Sequence, residues 1–105
     1  MNFSPVAPSP SLTVPREVRE FAAAQGIGHY LDAVIELTYQ AFPSTTLCVS
    51  TAQDAEDERH QYIALDVAVG DLTTEELLAG QRAWSAGIGR VCPSHDAVRF
   101  VLGWR

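Results

Sequence analysis

A chain of 105 residues with 47% apolar content supports one two-layer core and leaves no room in these residues for a separate catalytic module. Thirteen acidic against seven basic residues give a net charge of −6, and all seven basic residues are arginine. That balance argues against a nucleic-acid or anionic-membrane surface, both of which need a positive field, and the absence of lysine excludes a lysine nucleophile or a P-loop lysine.

Residues 1 to 14 carry Pro5, Pro8 and Pro10 among Ser, Ala and Val. Proline removes backbone donors and fixes φ, so the segment is expected to be a flexible, proline-rich tail dispensable for folding, ahead of one α+β domain over 15 to 105. The N-terminus lacks the basic start and apolar run of a secretory signal, and no apolar run is long enough to span a bilayer. With two cysteines expected to stay reduced, Cys48 and Cys92, the expected location is cytoplasmic.

Pro15 suits the first turn of a helix, and Val18, Phe21 and Ala22 follow at i, i+3, i+4, predicting a helix over about 15 to 25. Gly26 fits the left-handed position beyond its end. A second helix is predicted over 28 to 42, with Leu31, Val34, Ile35, Thr38, Ala41 and Phe42 in one stripe and Pro43 as its stop. Thr45 to Ala52 reads as a first strand, with Leu47 and Val49 on alternate positions. The charged run Gln53 to Arg59 then makes a hairpin loop.

The strand with the clearest pattern is Tyr62 to Val69. Ile63, Leu65, Val67 and Val69 fall on one face, and Tyr62, Ala64, Asp66 and Ala68 on the other. Next, Thr73 and Glu76 are spaced as a capping box, with Leu72 and Leu77 as a hydrophobic staple, so a helix begins at Thr73 or Thr74. It is expected to run to Gly87 or Gly89 and to turn Leu77, Leu78, Trp84 and Ile88 to the sheet. A last strand, Ala97 to Trp104, alternates Val98, Phe100, Leu102 and Trp104 with Ala97, Arg99, Val101 and Gly103. The fold class is α+β, in the order ααββαβ, a three-stranded sheet with helices mainly on one face and strand order open.

Several residues are candidates for chemistry. Cys92-Pro93-Ser94-His95-Asp96 places a thiol and an imidazole close in sequence, the minimum for a thiol/histidine-dependent enzyme using Cys92 and His95. Functional pairs come from separate segments, however, and a helix C-terminus just before Cys92 opposes a thiolate, so turn chemistry is the expected role. Cys92-x-x-His95 is also half a zinc site without a second half, so no metal is expected. Asp54, Glu56, Asp57 and Glu58 form an acidic loop without the glycine or ligand order of a calcium loop. Gly26-Ile27-Gly28 and Gly87-Ile88-Gly89 read as helix ends, not a dinucleotide motif. No cofactor is implied.

With its acidic loop between two strands and a charged, capped third helix, the chain resembles a group of short uncharacterised bacterial α+β proteins, over about residues 16 to 105. Those proteins tend to be encoded beside toxin-like partners. The resemblance implies an antitoxin-like accessory role and carries no catalytic residues over. The expected function is a small acidic non-enzymatic module that binds a protein partner or a second copy of itself, with a Cys92/His95 enzyme or a small-ligand sensor as the alternatives. Helices on one face leave Cys48, Tyr62, Ala64, Asp66, Ala68, Arg99 and Val101 on the other. That face is small and apolar around a tyrosine, so Tyr62, Asp66, Arg99 and Val101 are the candidate partner-binding residues, with Asp66 and Arg99 pairing with each other or across a two-fold axis.

Overall fold

In the computed structural model, helix α1 (Arg16–Ala24) starts directly after Pro15 and buries Val18 and Ala22. The structure describes residues 14–43, 45–57 and 59–105, so the expected tail, apart from Val14, lies outside the described residues. Val14 itself packs on the core. Gly26 closes α1 at φ +74°, a conformation that suits a residue with no Cβ. Its N–H donates to the Ala23 carbonyl and the Ile27 N–H to the Ala22 carbonyl, the paired bonds of a Schellman end that swings Ile27 fully into the core.

Helix α2 (Gly28–Ala41) buries Leu31, Val34, Ile35 and Thr38, and Phe42 closes the stripe just before Pro43. Strands β1 (Leu47–Gln53) and β2 (Gln61–Val67) form an antiparallel hairpin, with Val49 opposite Leu65 and Thr51 opposite Ile63. Its loop includes residues 54 to 57, 59 and 60. Helix α3 (Thr74–Val91) carries the capping box in full: the Glu76 N–H donates to Thr73 Oγ1, and the Thr73 N–H to Glu76 Oε1. A short helix α4 (Ser94–Ala97) leads into β3 (Phe100–Trp104), which pairs parallel to β2. The sheet order is β1-β2-β3, with the best-patterned strand at its centre. The architecture is thus α+β in the order ααββαβ, with α4 as one added turn.

Several expectations are corrected. The last strand begins at Phe100 rather than Ala97, because the Asp96 and Ala97 N–H groups both donate to the Pro93 carbonyl and wind residues 94 to 97 into a helix. Val98 is therefore 59% exposed instead of core. Helix α3 runs past Gly87 and Gly89 to Val91, ending before Pro93, so those glycines do not terminate it. Gly80 and Gly87 are buried contact points instead: a Cβ on Gly80 would overlap the Phe42 ring, and one on Gly87 would meet Leu37.

Those contacts also show which way α3 faces. It packs along α2, and the Trp84 indole N–H donates 2.9 Å to Thr38 Oγ1, whose own hydroxyl donates to the Val34 carbonyl. The inward stripe is Leu77, Gly80, Trp84, Gly87, Ile88 and Val91, at helical spacing. Leu78, one residue off that stripe, is 46% exposed rather than turned to the sheet. The main strand is also shifted from its pattern, beginning one residue earlier at Gln61 and ending two earlier at Val67. Its large side chains Ile63, Leu65 and Val67 are completely buried, and with Leu47, Val49, Phe100 and the helix stripes they form one core.

Candidate functional site

Alternation along three paired strands divides the sheet residues between two faces. One face carries Leu47, Val49, Ile63, Leu65, Val67 and Phe100 and is buried. The other face lies outside that core: Cys48 and Val101 are exposed there, Tyr62 and Asp66 are half-buried, and Ala64 is buried between its neighbours.

The register arranges this uncovered face in three rows across the sheet. One row holds Ala52 beside Tyr62, with Arg99 next to Tyr62 just before β3 begins; its carbonyl accepts the Ile63 N–H at 2.7 Å. The middle row is Ser50, Ala64 and Val101, and the third is Cys48, Asp66 and Gly103. The Tyr62 ring lies partly exposed with the His60 ring 6.0 Å away. Asp66 leans over Gly103, where any Cβ would overlap its carboxylate. Apart from Asp66 and Arg99, the three rows are uncharged. Ser50, Ala52 and Gly103 were not named among the candidates for this surface, although alternation with Leu47, Val49 and Phe100 puts them on it; only their rows depend on strand register.

Asp66 and Arg99 do not pair with each other within the chain. Arg99 stands in the Tyr62 row, four residues along the strand from Asp66, a separation of roughly 13 Å. Its guanidinium instead donates 3.0 Å to the Gln61 carbonyl.

The Cys92 and His95 pair is arranged against catalysis. Cys92 caps the C-terminal end of α3, is 3% exposed, and points its thiol at the Ile88 carbonyl. Burial, with a smaller contribution from the Asp96 carboxylate, raises its pKa and so disfavours the thiolate a nucleophile needs. His95 is exposed on α4, 3.5 Å from Asp96. Among the described residues, no three metal-ligating side chains gather.

In the acidic loop, two carboxylates are occupied with local turns. Asp54 Oδ1 accepts the Glu56 N–H, and Asp57 Oδ1 accepts the Arg59 N–H, the hydrogen bonds of Asx turns. Glu58 lies outside the described residues. A cleft of about 360 Å³ lies between the end of α2 and the first half of α3, lined mostly by Phe42, Pro43, Leu72, Ala79, Gly80 and Ala83. Its polar side chains are engaged elsewhere: Glu76 in the capping box and Gln40 with Glu36.

Among the described residues, no helix is long and apolar enough to cross a membrane. In comparisons with protein-family models, curated proteins and solved structures, none matches this chain.

Proposed function

We propose that the protein is a small non-enzymatic interaction module that binds a protein partner on its uncovered sheet face, an antitoxin-like role. The observation that carries this reading is the composition of that face. A sheet face left to water is usually rich in long polar side chains, whereas these rows are Ala52, Ser50, Ala64, Val101, Cys48 and Gly103 around one tyrosine.

The size of the face limits the contact it can make. Three strands about 4.8 Å apart, with rows spanning roughly 13 Å, present on the order of 300 Å². A stable interface buries about 800 Å² per partner, so a face of this size suits a small, reversible contact with any occupant. One amphipathic helix of a partner, about 10 Å across, covers it, with Tyr62 as the aromatic anchor and Asp66 and Arg99 as charges to be matched. The net charge of −6 favours a basic partner through long-range attraction.

Tyr62→Glu tests the reading beside Leu78→Glu, which places the same charge on an exposed position away from the face. Partner affinity is expected to fall at least tenfold for Tyr62→Glu and to hold for Leu78→Glu, with circular dichroism unchanged in both. Equal affinity for the two variants would overturn the proposal.

A further inference from the structure

The free edge of β3 has its own signature. In the parallel β2–β3 pair, the Arg99 carbonyl and the Arg105 N–H bond to β2, so the alternation turns the backbone groups of Arg99, Val101, Gly103 and Arg105 toward β2. The N–H and C=O groups of Phe100, Leu102 and Trp104 therefore face the open edge. Among the described residues, no loop or helix backbone group bonds to them. Proteins normally protect such an edge with charge, proline or a covering element, and Phe100–Trp104 contains neither charge nor proline. Among the described residues, three of the four exposed large apolar ones, Val98, Val101 and Trp104, lie on or just before this strand. The opposite edge strand, β1, has none, and α1 packs against it.

We infer that the occupant of this edge is a second copy of the chain, its β3 pairing antiparallel about a two-fold axis at Val101 to make a continuous six-stranded sheet. Charge selects the register. A two-fold axis at Leu102 would set Arg99 directly opposite Arg105 of the second copy, a repulsive cross-strand pair. An axis at Val101 sets Phe100 opposite Leu102, so their outward backbone groups form four hydrogen bonds across the axis. The two Val101 side chains meet at the axis as a non-hydrogen-bonded pair, the closer kind, and Val98 is brought beside Trp104. Arg99 then lies opposite Gly103 of the second copy, which has no side chain and over which the Asp66 carboxylate of that copy leans. The two charges that are too far apart to pair within one chain come together across the axis, twice.

This inference shares Asp66, Arg99 and Val101 with the proposed contact surface but leaves Tyr62 outside the two-fold contact, so Tyr62→Glu separates the two: it weakens the partner contact and leaves the dimer intact. The test is sedimentation equilibrium of the full chain, of Val101→Lys, of Val101→Glu, and of their equimolar mixture. Val101 is 39% exposed, so both variants are expected to fold, with circular dichroism as the check. The wild type is expected to be a dimer at tens of micromolar, each variant a monomer through like charges at the axis, and the mixture a dimer again. Tyr62→Glu is expected to remain dimeric. A monomeric wild type, variants that dimerise alone, or a mixture that stays monomeric would each overturn the inference.

Discussion

Cys92 shows how a reactive group is made inert by its place in the fold. Its thiol sits at the C-terminal end of α3 among core side chains, and burial raises its pKa. Tyr39, on α2, is raised for the same reason. The sign follows from the raised folded-state values: both groups keep their protons in the folded chain at a pH where the unfolded chain has begun to lose them. Their contribution is therefore complete below the ordinary thiol range and is lost as pH rises through the folded-state values. Melting temperature is expected to fall with pH on the alkaline side of the thiol range, and to fall less steeply in Cys92→Ala than in the wild type. Parallel slopes would show that the thiol is not protected by burial. Thr38 illustrates what a pattern hides: helical spacing placed it in the α2 stripe, but its bond with Trp84 lies between residues 46 apart in sequence and has no local signal.

Among the elements, those with chemically specific ends were the most legible. Thr73 with Glu76, Gly26 with Ile27, and Pro43 each name the backbone group they satisfy or remove, and the helices begin or end where these residues say. Hydrophobic alternation alone was less reliable. Residues 97 to 104 alternate like a strand, yet the first of them are claimed by hydrogen bonds from the Pro93 turn, a local competition that alternation does not register. Gly87 and Gly89 looked like terminators because glycine often ends helices, whereas Gly87 serves a close approach of α3 to α2 that only tertiary packing reveals. Removing the cap in Thr73→Ala is expected to cost about 1 kcal/mol. Leu65→Ala, which opens a cavity at a fully buried position of the central strand, is expected to cost roughly 2 to 5 kcal/mol. Urea denaturation of both variants checks the order, and a larger loss for Thr73→Ala would contradict the central place of β2 in the core.

For the whole molecule, the fold class could be read before the fold because each apolar stripe needs a partner layer, while the strand order depended on pairings that no stripe encodes. The candidate contact surface was legible only in part. Tyr62, Asp66 and Val101 were marked by facing away from the core, but the grouping of Cys48, Asp66 and Gly103 into one row required the register. That row supplies a native reporter. Cys48 is exposed on the uncovered face and Cys92 is buried with a raised pKa, so alkylation under native conditions reads the state of the face through one thiol. The most direct test compares Cys48 alkylation rates, resolved by mass spectrometry, for the purified chain alone and in extract of the organism that encodes it. An Arg82→Cys variant, exposed on α3, supplies a reference thiol for each condition. A covered face predicts that Cys48 slows at least several-fold relative to the reference in extract, and that Tyr62→Glu restores the rate seen in isolation. A Cys48 rate that stays in constant ratio to the reference thiol in both conditions would contradict the central claim.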